Sequence, residues 1–267
     1  MSTASRPGFV EWVEKQSVPA GWKLLPLTHI TRGLVAADII RVGRIDPKHC
    51  NTLDGKYAFF FYGRPAYRVD TGKVVKLEAS CPHCFIFNED LIRRSNKVFA
   101  FDTGAFGARL YKHVLDDELK VDDFQLGSDP ARPNRLIAGT FGSQEAYFNG
   151  DRSAMADPAV AAAPYEMEAR SFLELVSSPG RNEPDDRICS IEVVFADPVP
   201  ISGELIGIVV PHTLWTSATP SPLLSQLSAA GVDVIPYDFI PNRHPEHCHT
   251  LLEAAVRNYF RNKGYLP

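Results

Sequence analysis

Residues 187–195 read "RICSIEVVF". The β-branched and apolar side chains predict a strand, and Glu192 interrupts it with a carboxylate that is costly to bury without partners. Alternation along a strand puts Ser190 and Glu192 on one face, with Val194 beyond them. A hydroxyl and a carboxylate side by side on a central strand suit the hydroxyls of a ribose.

Two more segments share this form, a strand end carrying polar residues: "LTHIT" at 27–31 and "YAFFFYGRPAY" at 57–67. Around them the sequence predicts a short amphipathic helix in "PGFVEWVEKQ" and a helix from Gly33 to about Val42 capped by Thr31. An Asp-Gly turn leads into an aromatic strand, Tyr57 to Tyr62. Further strands are expected at 74–79, 84–87, 97–101, 187–195, 204–210 and 232–237. Helices are expected after Asn88, at 158–178, 223–230 and 245–263, with short helices and loops through 102–150. Strands and helices mix without a regular βαβ beat, and no linker divides the chain. The expectation is one α+β domain over 1–267, built on two packed antiparallel sheets with flanking helices, with 212–267 as a C-terminal extension.

Composition narrows the class. The 267 residues are 45% hydrophobic and 22% charged, ordinary for a folded chain able to bury a full core. A net charge of −4 argues against a global basic face that wraps nucleic acid, while leaving room for a local groove. The N-terminus lacks the apolar core of a signal peptide, and no apolar run nears the roughly 20 residues that cross a bilayer. A cytoplasmic chain with reduced thiols and no membrane partner is expected.

The five cysteines invite two other readings. "SCPHCFIF" at 80–87 contains the Cys-Pro-His-Cys spelling of an oxidising thiol–disulfide enzyme. Such a site needs its first cysteine at a helix N-terminus, whereas Cys84 here runs into a strand. Cys81 and Cys84 also have zinc-knuckle spacing, and "HPEHCH" supplies His244, His247, Cys248 and His249. A zinc-stabilised binding module is therefore the rival from another class, although neighbouring His247 and Cys248 diverge on a helix. No Gly-x-Ser-x-Gly or His-Glu-x-x-His pattern points to hydrolysis, and His212 has no carboxylate at fixed spacing.

The three strand-end segments, in this order and over residues 24–211, resemble the ADP-ribosyltransferase fold, and within it the DarT-type toxins that modify bases of single-stranded DNA. His29-Ile30-Thr31 is similar to that group's His-Ile-Thr, "YAFFFYGRPAY" to its aromatic strand with an arginine, and "RICSIEVVF" to the strand carrying its catalytic glutamate. The resemblance implies NAD as co-substrate, no metal, Glu192 and Arg64 as catalytic residues, and His29, Ile30, Thr31, Gly33, Tyr62, Arg64, Tyr67 and Ser190 around the NAD. Chemically, a carboxylate on a ribose hydroxyl stabilises an oxocarbenium-like state. An arginine matches paired phosphate oxygens, Tyr62 and Tyr67 suit the faces of nicotinamide, and His29 suits the adenosine-side ribose. An acceptor of nucleic acid, a toxin or phage-defence role and an antitoxin partner follow from the likeness alone. The chain departs from the group where "FDTGAFGARLYKH" stands in place of its base-contacting loop, with His113 as the candidate substitute for that loop's histidine or asparagine, and where Ser190 replaces the glutamate of arginine-specific enzymes. Protein or small-molecule acceptors stay open, and water as acceptor would make an NAD glycohydrolase.

Overall fold

Strand-forming residues gather where the sequence concentrates β-branched and aromatic side chains, and the sheet they build is the frame for everything else. A computed structural model describes residues 8–66, 74–178, 189–216, 218 and 220–267. Tyr67, Arg187 and Ile188, and the polar stretch before them, lie outside the described residues. The first half contains α1 (Gly8–Glu14), β1 (Leu27–Arg32), α2 (Gly33–Val42), β2 (Arg44–Ile45), β3 (Lys48–Cys50), β4 (Gly55–Tyr62), β5 (Pro82–Phe87) and β6 (Lys97–Phe99). Then come five helices, α3 (Thr103–Gly107), α4 (Arg132–Phe141), α5 (Gln144–Asn149), α6 (Pro158–Ala161) and α7 (Met167–Ser177). The chain finishes with β7 (Glu192–Phe195), β8 (Val199–Pro200), β9 (Leu205–Pro211), α8 (Pro222–Ala229), β10 (Asp233–Tyr237) and α9 (Pro245–Asn262).

The architecture is mixed helix and sheet, with one eight-stranded sheet in the order β10-β9-β5-β1-β4-β7-β6 and β3 paired to β4. The expected second sheet is reduced to the two-stranded β2–β8 pair. All pairings are antiparallel except β10 on β9, which α8 connects as a crossover. The C-terminal residues are therefore built into the main sheet, and α9 packs across β5, β9 and β10.

Three local expectations are corrected. Residues 74–79 form no strand: of these only Val75 is buried, so there is no apolar face to bury, and the stretch makes one bridge to Arg243 before a 3-10 turn at Glu78–Ser80. The helix expected over 158–178 breaks into α6 and α7, because Pro164 offers no N–H and Tyr165 takes a φ of 73°. Thr31 stays in β1 opposite His83, and Arg32 occupies the cap of α2 without a side-chain bond.

The helices of the middle third meet the sheet through an aromatic cluster. Phe9 lies 5.4 Å from Phe124 and 5.3 Å from Phe172, and Phe101 lies 4.9 Å from Phe124. Two tyrosines pin α4 and α5 to the strand ends. The Tyr62 hydroxyl donates to Asn134 Oδ1 and accepts the Leu25 N–H, while the Tyr147 hydroxyl donates to the Tyr62 carbonyl and accepts the Ile191 N–H.

The start of α2 is locked against the entrance to β5. The Gly33 N–H donates to the Cys81 carbonyl at 2.9 Å, and the His83 Nδ1–H reaches the same oxygen at 3.2 Å. A Cβ on Gly33 would lie 2.4 Å from the Glu78 carbonyl oxygen and 2.8 Å from His83 Cε1. Alanine in place of helical glycine ordinarily gains about 1 kcal/mol. Here the backbone neighbour reverses the sign, and Gly33→Ala is expected to cost about 1–3 kcal/mol in urea unfolding. Unchanged or raised stability would remove this packing role.

Burial lowers the pKa of His83 to about 4. Between pH 6.5 and 4 the unfolded chain binds a proton that folded His83 refuses, so stability falls as pH falls through that window. His83→Gln is expected to shrink the stability difference between pH 7 and pH 5 by about 2 kcal/mol, measured as paired urea curves.

Candidate active site

β1 pairs with β5 along six residues, Leu27↔Phe87 to Arg32↔Pro82, but with β4 only at Leu27↔Tyr62 and Thr28↔Phe61. Beyond Thr28 the two central strands fork. At the fork the His29 imidazole replaces the ladder, with Nδ1 2.8 Å from the Phe59 carbonyl oxygen. A carbonyl only accepts, so Nδ1 carries the proton and Nε2 is the acceptor of a neutral ring. Burial holds the His29 pKa down at about 4, which keeps the ring neutral at physiological pH.

Register assigns each site residue to a face. Glu192 is opposite Phe61 on one side and Phe99 on the other, and Phe61 is opposite Thr28. Glu192, Phe61, Thr28 and Ile30 therefore share one face, and His29 and Thr31 belong to the other. The His29 ring confirms this by lying 5.3 Å from Phe60 and 6.3 Å from Phe85.

A cleft of about 360 Å³ opens on the Glu192 face. Phe59, Phe61 and Ile30 form its apolar wall, Asp102, Thr103 and Gly104 stand beside Glu192, and His49 and Cys50 of β3 close another side. Glu192 is 3% exposed. Its Oε2 accepts both the Thr103 N–H, at 3.1 Å, and the Thr103 hydroxyl, at 2.5 Å. The second is the short distance typical of O–H donation to a carboxylate. Thr103 is held in turn because Asp102 caps α3, its Oδ1 accepting the Ala105 N–H at 2.7 Å.

A larger cleft, about 460 Å³, lies at the mouth of the fork and is lined by His29, Thr31, α2, Arg44, Asp46, Lys48 and Tyr57. It shares Ile30 and Phe59 with the first. Of the residues singled out in the sequence, Glu192 and Ile30 meet in the smaller cleft, and His29, Ile30 and Thr31 in the larger.

The others stand elsewhere among the described residues. Arg64 is 7% exposed and lies 3.7 Å from Glu253 of α9, lining neither cleft. Tyr62 has its ring in the core and its hydroxyl committed to Leu25 and Asn134. Ser190 is fully buried, its Oγ without a hydrogen-bond partner among the described residues. Gly33 serves the α2–β5 packing. His113 is exposed, its Nδ1 3.1 Å from the Leu110 carbonyl. Sequence reasoning missed Thr103, His49 and Cys50. Asp-Thr-Gly at 102–104 is a helix-start spelling, the one signal that pointed toward Thr103.

The cysteine readings take a definite form. Cys81, Cys84, Cys189 and Cys248 are buried, and Cys50 is half-buried. Cys84 sits inside β5 between Ile30 and Val209, and burial pushes its thiol up. Cys81 faces the Cys248 thiol of α9 rather than Cys84, and this neighbour together with burial raises the Cys81 pKa. The same contact lowers the Cys248 thiol, which sits in the first turn of α9, so the thiol pair formed here is Cys81–Cys248, and the tetrapeptide's own Cys81 and Cys84 lie at the entrance of β5 without the helix N-terminal field of a redox site. Among the described residues no three of His, Cys, Asp and Glu gather as a metal site.

A thiol-reactive disulfide reagent is expected to titrate one thiol, Cys50, in the native protein and five after denaturation. Fast native reaction at Cys81 would restore the redox reading.

Compared with family models, with curated proteins and with solved structures, the chain matches none of them.

Proposed function

We propose that this chain is an NAD-dependent ADP-ribosyltransferase that releases nicotinamide and passes ADP-ribose to a nucleic-acid acceptor. The observation that carries the reading is Glu192, a buried carboxylate on a central strand, oriented by two Thr103 donors and opening on an aromatic-walled cleft. The cleft volume falls in the range of small-molecule sites, about 300–1,000 Å³.

In this reading the nicotinamide end enters against Phe59 and Phe61, and Glu192 accepts a hydrogen bond from a ribose hydroxyl. The C1′–N bond breaks with both electrons leaving on neutral nicotinamide, and positive charge develops on the sugar. A fixed carboxylate stabilises that charge more than it stabilises the ground state, which is how binding becomes rate. The acceptor's nucleophile then bonds to C1′, and its proton passes to Glu192. Thr103 bonds Glu192 through both its N–H and its hydroxyl, and in this reading it acts through the carboxylate as a positioning residue. Its two donors remove the carboxylate's rotational freedom before the substrate arrives. The nucleic-acid acceptor rests on the likeness of three short segments, and the product's location decides it.

Labelled NAD is the test, with nicotinamide release and label deposition followed in the presence of single-stranded DNA, RNA or cell protein. Glu192→Gln is expected to lower release by about 10²–10³-fold. Thr103→Val should lower kcat by about tenfold with little change in KM, and Thr103→Ser should restore it, a pattern that simple loss of packing does not produce. Release without deposition would make water the acceptor. No release by the wild-type chain overturns the reading.

A further inference from the structure

Two stretches far apart in sequence, 75–81 and 242–248, are joined at both of their ends. At one end the Val75 N–H donates to the Arg243 carbonyl and the Asn242 N–H to the Val75 carbonyl, each at 2.8 Å. Past this bridge the first stretch turns through Glu78–Ser80, and the second enters the first turn of α9. They meet again at two thiols. Cys81, at the entrance of β5, faces Cys248 where α9 packs on that strand. Both residues are 0% exposed.

The pair is asymmetric. Burial raises both thiols, and the hydrogen bond from Cys81 is what pulls Cys248 down. The N-terminal field of α9, an 18-residue helix, acts on Cys248 in the same sense. Cys81 in turn belongs to the frame of the larger cleft. Its carbonyl accepts the Gly33 N–H at the start of α2, and α2 walls that cleft.

We propose that Cys81 and Cys248 are a redox modification site, closing to a disulfide with hydrogen peroxide as the oxidant and clasping the start of α9 to the β5–α2 joint. The Cys248 thiolate attacks the peroxide: an S–O bond forms, the O–O bond breaks, and hydroxide leaves to become water with the proton that Cys248 gave up. The Cys81 sulfur then attacks the Cys248 sulfenic acid. The S–S bond forms, the S–O bond breaks, and the hydroxyl leaves as water with the Cys81 proton. Two thiols and one peroxide give one disulfide and two waters. Peroxide is close to water in size, and Glu246 and Thr250 on either side of Cys248 are exposed, so the path to the thiol is short. The site is independent of the NAD reading and distinct from a Cys81–Cys84 couple.

The reduced full chain, treated with graded hydrogen peroxide, then denatured, alkylated and mapped by mass spectrometry, tests the site. Cys81 and Cys248 are expected to disappear together into one cross-linked peptide pair, two hydrogens lighter, while Cys84 and Cys189 are still alkylated. Dithiothreitol should restore both thiols. In Cys81→Ser, Cys248 should stop at the sulfenic acid and take up dimedone, and in Cys248→Ser, Cys81 should stay reduced. The urea midpoint of the wild type should rise on oxidation, because the link closes a long loop of the unfolded chain, and should not move in either variant. A Cys81–Cys84 link, or both thiols still free where Cys50 is oxidised, overturns the site. The wild-type map decides this whether or not the variants fold.

Discussion

The fork between β1 and β4 is the constraint from which both clefts follow. A central strand normally spends its N–H and C=O groups on both neighbours. β1 does so with β5 along six residues and with β4 along two. A carbonyl left bare inside a sheet would cost the desolvation of an unmade hydrogen bond, about 1–3 kcal/mol. His29 removes that cost by giving its Nδ1–H to Phe59, and burial keeps the ring neutral so that no charge is stranded there. The strands can then diverge, with Ile30 and Phe59 as the partition between two cavities.

The second constraint is the carboxylate beside the fork. Phe61 and Phe99 flank Glu192 in the sheet, so its surroundings there are apolar. Two of its hydrogen bonds come from one residue 89 positions earlier, whose backbone and hydroxyl both aim at Oε2. That explains why α3, only five residues long, is placed against the sheet: the Asp102 cap sets the first turn, and the first turn sets Thr103. Tyr147 performs a parallel service at the same end of β7, accepting the N–H of Ile191, just before Glu192, while donating to the Tyr62 carbonyl. The start of the strand that bears Glu192 is thus held from two sides.

Much of this frame was legible in the sequence, because it depends on local patterns. The α2, α8 and α9 segments, the aromatic strand and β5 follow from apolar periodicity and from turn residues such as Asp54-Gly55, where Asp54 takes a φ of 47°. Glu192 was legible because it violates its own strand's pattern. What was not legible is tertiary. Parity within "YAFFFY" turns Phe59 and Phe61 to the cleft and Tyr62 to the core, and parity means little until the partner strands are known. Thr103 carries no mark of the carboxylate it meets. The fork leaves no trace either, since it arises from pairings that β1 fails to make. The Cys81–Cys84 spacing misleads for the same reason: thiol chemistry depends on where the backbone dipoles point, and here a strand supplies none of the helix N-terminal field.

In the proposed reading, the donors that offset the burial of Glu192 also fix its direction. A cation close to Glu192 would satisfy its carboxylate and compete with the charge developing on a sugar. Two of the donors to Glu192 are the neutral N–H and hydroxyl of Thr103, and Phe59 and Phe61 supply the cleft's aromatic wall. In the proposed reaction Glu192 gains only as the glycosidic bond opens. β7, which carries Glu192, is registered against β4, which carries Phe59 and Phe61, so the pairing holds the carboxylate and the aromatic wall at a fixed distance.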